Sequence, residues 1–154
     1  MKTVNPYFLH SLLESITMKT VNPYFLHSLL DPLTGLADDD EAMEEFSEFN
    51  SNDTSASREL IRKMIVPHCE SMGAAIRERV QLAYRYYLSV DSSDFERVFE
   101  SVLPPFDPPE NPRDFFVWIW EECFPQEPYQ LFDVADYVVD ADINEPSKIA
   151  KPPA

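Results

Sequence analysis

Apolar side chains recur at helical spacing through most of the chain. The longest stripe steps by three or four residues and predicts one long amphipathic helix; its members are Met72, Ile76, Val80, Ala83, Tyr87 and Val90. Residues 113–124 are apolar on almost every side, which predicts a central, buried helix. No convincing stretch alternates apolar and polar residues as a half-buried strand does. The pattern therefore predicts an all-α fold, an irregular bundle of about five or six short helices.

The N-terminal sequence is a tandem duplication. Residues 1–13 and 18–30 are identical, and the similarity extends to two units, 1–17 and 18–34. In each unit an Asn-Pro pair precedes apolar residues that share one helical face, so both units predict an amphipathic helix with Asn as its cap. Only the second unit is joined directly to the rest of the chain. We therefore expect it to pack on the core, and the first to be displaced, mobile or free to engage a neighbouring molecule. An in-frame duplication, or a start at Met18, would explain the repeat.

Composition divides the chain into four segments. Residues 1–34 are the duplication, and residues 35–57 form an acidic segment that ends in a linker rich in Ser, Asn, Asp and Thr. Residues 58–142 carry most of the helical patterning and are predicted to be the helical core domain. Its last helix is predicted to begin at Pro128. Residues 143–154 have no periodicity and predict a disordered tail.

The charge of the chain is strongly negative. The formal net charge is −16, and residues 31–57 contain nine acidic residues without a Lys or Arg. Such a charge disfavours nucleic acids and anionic membranes as direct partners and attracts a basic protein. The candidate partner-binding carboxylates come from the acidic segment, the apolar helix and the exposed face of the last predicted helix: Asp38, Asp39, Asp40, Glu44, Glu45, Glu121, Glu122, Asp133, Asp136 and Asp140.

Known ligand-binding motifs fit the sequence poorly. Gly35 and Gly73 are the only glycines, which excludes a P-loop and a Rossmann fingerprint. Residues 140–144 begin like an EF-hand loop, but the turn glycine and the bidentate glutamate are missing. Cys69 and Cys123 form neither a zinc signature nor a C-x-x-C motif, and they favour a reducing compartment. We expect no cofactor and no metal.

Candidate catalytic groups are few. His10 and His27 occupy equivalent places in the two repeat units, which the duplication explains without a metal site. His68 and Cys69 are adjacent, and neighbouring helical side chains point about 100° apart. A nucleophile and base pair is therefore not expected between them. We predict that the protein is not an enzyme.

Three functional hypotheses remain. The first is a binding protein that neutralises or regulates a basic partner, such as an immunity protein or antitoxin, or an inhibitor whose carboxylates mimic nucleic-acid phosphates. The second is an adaptor or chaperone that holds a partner through the N-terminal amphipathic helices. The third is a small enzyme that uses His68 or Cys69. The all-round apolar helix also suggests self-association. The longest apolar run, residues 115–120, is too short to span a membrane, so a cytoplasmic protein is expected.

Overall fold

The computed structural model describes residues 19–90 and 94–150, and this part of the chain is mostly helical, which confirms the predicted predominance of helix. Among the described residues there are eight α-helices, more than the five or six predicted. They are α1 (Phe25–Ser28), α2 (Asp40–Glu45), α3 (Thr54–Leu60), α4 (Val66–Ser71), α5 (Ala74–Ser89), α6 (Phe95–Val102), α7 (Pro112–Cys123) and α8 (Glu145–Ala150). Two short strands, β1 (Lys19–Val21) and β2 (Tyr137–Val139), are also present, together with short 3₁₀ and π-helical turns.

Helix α7 lies at the centre of the core, as its apolar sequence predicts. It packs against α3, α4, α5 and α6. Four of its side chains are at most 1% exposed: Phe115, Phe116, Ile119 and Trp120. Val117 and Trp118 are partly buried against the same cluster. Burial on most sides accounts for a helix that has almost no polar face.

The second repeat unit supplies one side of this core. Its five largest apolar side chains are at most 2% exposed: Phe25, Leu26, Leu29, Leu30 and Leu33. The prediction that residues 18–34 pack on the core is confirmed for the described residues 19–34. The helix is shorter than predicted, because α1 gives way to a 3₁₀ turn, Asp31–Leu33, at Pro32, which cannot donate a backbone hydrogen bond. The first unit, with its His10 and the expectation of displacement, lies outside the described residues.

The C-terminal region of the core contains a strand where the sequence predicts a helix from Pro128. β2 pairs in parallel with β1, with Lys19 opposite Tyr137, and Asp140 N–H donates to the carbonyl of Val21 at 2.9 Å. Tyr137 and the two β-branched valines after it favour an extended backbone, and the Tyr137 ring is buried. The helix prediction here is wrong, because pairing with a strand more than a hundred residues away determines the structure.

Residues near the C-terminus form a helix where the sequence predicts a disordered tail. α8 packs against α5, and Ile149 is partly buried against the core. The buried side chain of Asn22 joins the repeat to this region, donating to the Asp142 carbonyl at 2.7 Å and to Glu145 Oε1 at 3.1 Å. The tail prediction is therefore wrong for Glu145–Ala150, while residues 151–154 lie outside the described chain. None of the helices described has the length and apolar character needed to cross a membrane.

A π-helical turn, Ile61–Ile65, links α3 to α4 and keeps the chain helical through Pro67. Pro67 has no N–H to donate and its ring would crowd an ordinary α-helical turn. The wider turn accommodates the proline, with Val66 N–H donating to the carbonyl of Ile61. The helical segment consequently reaches Ser71 and places His68 and Cys69 on α4.

Candidate functional site: an acidic groove

The acidic segment folds into α2 and the turns on either side of it. Asp39 caps the helix, because its Oδ1 accepts hydrogen bonds from the N–H groups of Glu41 at 3.0 Å and Ala42 at 3.2 Å. Asp40 and Glu41 occupy the first turn, where carboxylates interact favourably with the helix dipole. The acidic side chains at the start of α2 therefore stabilise this helix and also make the surface negatively charged.

Three aromatic rings fix the acidic segment to the core. Phe46 and Phe49 each contact Phe106, with ring centroids 5.8 Å and 4.6 Å apart. Phe106 in turn contacts the buried rings of Phe99 and Phe115. The two phenylalanines that interrupt the acidic run in the sequence are therefore its anchors.

The region predicted as a linker is also tightly bound. Ser51 is 3% exposed and donates through Oγ to the carbonyl of Asp107 at 2.7 Å. Ser57 is fully buried and donates to the carbonyl of Ser51 at 2.8 Å. Asn52 Oδ1 accepts from the N–H of Glu110 at 2.7 Å. The linker prediction for 50–57 is wrong, because its small polar side chains satisfy backbone groups of a neighbouring loop and α3 begins within it.

An acidic groove of about 570 Å³ lies beside α2, between this helix and the segment formed by α3 and the π turn. Its apolar lining is Leu36, Ala42, Phe46, Phe49, Leu60 and Met64, and its charged lining is Asp39, Glu41, Glu45 and Lys63. The groove thus combines apolar and aromatic surface with three carboxylates and one basic side chain.

The carboxylates of this region have no intramolecular counterion among the described residues. None of the residues Asp38, Asp39, Asp40, Glu41, Glu44 and Glu45 takes part in an ion pair there, and all six are exposed. Five of these six are predicted site residues, so the fold brings half of the predicted set together. A cationic ligand would meet unneutralised charge next to apolar surface, and both attract an amphipathic basic segment.

Glu121 and Glu122 do not join the acidic groove. They lie on α7 and are held by two arginines of the segment that contains α3 and the π turn. Arg58 donates to Glu121 at 2.8 Å and to Glu122 at 3.1 Å, and Arg62 contacts Glu122 at 2.8 Å. The fold therefore already neutralises much of their charge, and binding of a partner to these carboxylates stays a prediction. The hydrogen bond from Arg62, reinforced by Arg58, lowers the pKa of Glu122 below its ordinary value.

We expect Glu122→Gln to lower the free energy of unfolding by about 1.5 kcal/mol at pH 7, the lower end of the range for a hydrogen bond to a charged group, because solvent near the surface screens the pair. A lowered folded-state pKa means that this stabilisation is complete above the unfolded-state pKa of about 4.3 and is lost as the pH falls through the folded-state value. Urea denaturation at pH 7 and pH 3 should therefore show a smaller difference from the wild type at the lower pH. Glu121→Gln is the matched control and should cost less, because the Glu121 side chain is 49% exposed. A difference that does not shrink between pH 7 and pH 3 would contradict this account.

Asp133, Asp136 and Asp140 do not form the predicted face of a helix. Asp133 precedes a single 3₁₀ turn, Val134–Asp136, of which Asp136 is the last residue, and Asp140 follows β2. All three are exposed. They are correctly predicted to be accessible, but the helical spacing that grouped them is wrong, and no groove accompanies them among the cavities described.

A second cavity, of about 530 Å³, contains histidines that the sequence singled out. His27 Nε2 lies 2.8 Å from Ser101 Oγ, while the hydroxyl of Ser101 donates to the carbonyl of Val98 at 2.9 Å. With its proton directed to that carbonyl, the serine oxygen accepts the hydrogen bond from the imidazole. A serine nucleophile with a histidine base needs the opposite polarity. Sequence reasoning missed Ser101, which has no local motif around it.

His68 faces the same cavity rather than Cys69. Its Nε2 donates to the carbonyl of Ser28 at 2.8 Å and lies 3.8 Å from Asp31 Oδ2. Burial lowers the pKa of His27 against the opposing effects of Tyr24 and Asp31, and burial raises the pKa of Asp31 against the opposing effects of the two histidines. In the hydrogen bonds described, neither histidine of this cavity acts as a base towards a serine or cysteine nucleophile.

The described residues contain no group of three or more His, Cys, Asp or Glu side chains that could hold a metal ion. Sequence reasoning missed the apolar lining of the groove and two of its charged residues, Glu41 and Lys63. For the lining residues Phe46 and Phe49, the three-residue spacing that they share with Met43 is the available signal. The chain matches no protein-family model, no curated protein and no solved structure.

Proposed function

We propose that this protein is a non-enzymatic binding protein whose acidic groove engages a basic, amphipathic segment of a protein partner. The observation that supports this proposal is the coincidence of unpaired carboxylates with apolar lining in one groove. The net charge of −16 would steer such a partner towards the protein, and the apolar lining would hold it. A basic toxin, or a nucleic-acid-binding protein that the groove inhibits, has the matching chemistry.

Lys63 refines the proposed recognition. It is exposed and lines the groove, and it forms no ion pair among the described residues. A positive charge at this position would repel cationic groups that approach the same end of the groove. The partner segment is therefore expected to present an apolar residue, rather than Lys or Arg, next to Lys63.

The adaptor hypothesis has less support. An adaptor that holds a partner through its N-terminal amphipathic helix needs a free apolar face. In residues 19–34 that face is packed into the protein's own core, with Leu29 and Leu33 fully buried. Residues 1–17 lie outside the described chain.

Two lysine-rich peptides of identical composition provide the test. One carries leucines at helical spacing on a single face, and the other carries the same residues in scrambled order. Calorimetric titration should show that the amphipathic peptide binds more tightly, and that its affinity falls steeply between low and physiological salt. Equal binding of the two peptides would indicate unspecific charge attraction and would contradict the proposal.

Glu41→Gln, Glu44→Gln and Glu45→Gln combined change two residues that line the groove and their neighbour on α2. They should weaken binding of the amphipathic peptide by about tenfold, since three exposed carboxylates at about 0.5 kcal/mol each sum to roughly 1.5 kcal/mol. Asp39 is left in place because it caps α2. The matched control removes the same charge elsewhere, through Asp133→Asn, Asp136→Asn and Asp140→Asn, and should change the affinity less than about threefold. Equal weakening by both variants would place recognition in the net charge rather than in the groove.

A further inference from the structure

The two cysteines, which are distant in the sequence, lie side by side in the fold. Cys69 belongs to α4 and Cys123 is the last residue of α7, and these two helices pack against each other. Both residues are free thiols that pack in the same hydrophobic cluster, and their side chains are close enough to interact. Cys69 is 3% exposed, whereas Cys123 is partly exposed. The arrangement is a dithiol that bridges two core helices.

Arg77 places a positive charge at this dithiol. Its Nη2 donates to the carbonyls of Cys69 at 2.9 Å and Glu70 at 2.8 Å, which fixes the guanidinium at the C-terminal end of α4, where its charge acts on the Cys69 thiol. Its Nε is buried and has no hydrogen-bond partner. A buried donor without a partner is costly, and a negatively charged sulfur or a sulfur-bound oxygen nearby would satisfy it.

The two thiols are electrostatically unequal. The hydrogen bond from Cys123 lowers the pKa of Cys69, as does Arg77, against the opposing effects of burial and Glu70. The same hydrogen bond, together with burial, raises the pKa of Cys123. Because the thiolate is the nucleophile in sulfur chemistry, Cys69 is the group that attacks and Cys123 the group that stays protonated.

We propose that Cys69 and Cys123 form a reversible disulfide in response to a small peroxide. The Cys69 thiolate attacks one oxygen of hydrogen peroxide, the O–O bond breaks, and the other oxygen leaves as water after taking a proton. Cys69 is now a sulfenic acid. The Cys123 sulfur attacks the sulfenic sulfur, and the hydroxyl leaves with the Cys123 proton as a second water. In total, two thiols and one peroxide give one disulfide and two waters, and a dithiol reductant reverses the reaction.

Burial makes this site selective for small oxidants. Cys69 is nearly inaccessible, so the small hydrogen peroxide molecule can reach it more readily than glutathione disulfide, in which each sulfur of the disulfide bond carries a bulky tripeptide. The more exposed Cys123 does not provide an alternative route, because its raised pKa leaves it largely protonated. The disulfide would tie α4 to α7 and reduce the freedom of the unfolded chain, so the oxidised protein should melt at a higher temperature.

The test uses the full chain treated with hydrogen peroxide, followed by intact-mass and peptide analysis without reductant. We expect the mass to fall by two hydrogen atoms, a crosslink between the peptides of Cys69 and Cys123, and recovery of the starting mass with a dithiol. In Cys123→Ala, Cys69 should accumulate as a sulfenic acid that dimedone captures. Absence of the crosslink in the wild type, or oxidation by glutathione disulfide as fast as by peroxide, would overturn the proposal.

Arg77→Met separates the proposed role of the guanidinium from mere proximity of the thiols. It should slow disulfide formation at least fivefold at pH 7, and Arg77→Lys, which keeps the positive charge, should recover part of the rate. Because these variants retain both cysteines, they remain informative if Cys123→Ala fails to fold. An unchanged rate in Arg77→Met would overturn the assignment of Cys69 as the activated thiol.

Discussion

Removal of either repeat unit should leave a folded protein, whereas removal of both should abolish folding. In the variant that lacks residues 18–34, Thr17 is joined directly to Gly35, so the first unit takes the place of the second in the chain. Its residues 1–13 are identical to residues 18–30, and they can therefore make every contact that those residues make. The variant that lacks residues 1–17 keeps the described structure unchanged.

The expected size of these effects follows from burial. The second unit buries five large apolar side chains, each worth about 1.5–3 kcal/mol. Their sum is comparable to the typical total stability of a domain, about 5–15 kcal/mol. In the variant that lacks residues 18–34, the differences are confined to three buried or turn positions, where Glu14, Ser15 and Ile16 replace Asp31, Pro32 and Leu33. Loss of the proline and a changed shape in the core should cost about 1–2 kcal/mol.

Urea denaturation followed by circular dichroism measures all three variants. Lack of residues 1–17 should leave the midpoint within error of the full chain, and lack of residues 18–34 should lower it modestly. The chain without residues 1–34 should show no cooperative transition. A cooperative transition in that last variant, or loss of folding in either single deletion, would show that the two units are not equivalent for folding.

Local patterns predict the parts of this fold that local interactions determine. The stripe through 72–90 becomes the sixteen-residue α5, with Val80 and Ala83 buried, because a long amphipathic helix needs no distant partner to set its period. The all-round apolar sequence of α7 likewise predicts its central position. The residues predicted for the buried face of the second repeat unit are the ones that are buried, although the segment around Pro32 is a 3₁₀ turn rather than an α-helix.

The failures have a common physical cause, which is that the deciding partner lies far away in the sequence. Tyr137–Val139 is extended because it pairs with Lys19–Val21. The sequence predicts a helix there because three acidic residues around this strand are spaced three and four residues apart, as on one face of a helix. Glu122 is neutralised by Arg62, sixty residues earlier. The acidic groove follows the same rule: its carboxylates could be predicted from the sequence, but its apolar lining from Leu60 and Met64 could not.

The two tryptophans of α7 should differ sharply when each is replaced by alanine. Trp120 is 1% exposed, its Nε1–H donates to the carbonyl of Glu127 at 2.7 Å, and its ring lies 4.7 Å from that of Phe124. Arg85 covers the ring at 5.3 Å from its centroid. Trp120→Ala should lower the free energy of unfolding by about 3–5 kcal/mol, because it leaves a large cavity and an unpaired carbonyl.

Trp118 is the matched control, because the same change is made two positions away on the same helix. It is only partly buried and meets Phe115 edge-on at 6.4 Å, so its truncation should cost about 1–2 kcal/mol. Trp120→Phe tests the hydrogen bond separately: it keeps most of the apolar volume, so its cost should lie between those of the two alanine variants. Equal losses at the two positions in urea denaturation would mean that the side of α7 that carries Trp120 contributes no more to stability than the side that carries Trp118. A Trp120→Phe variant as unstable as Trp120→Ala would assign the stabilisation to the hydrogen bond with Glu127 rather than to packing.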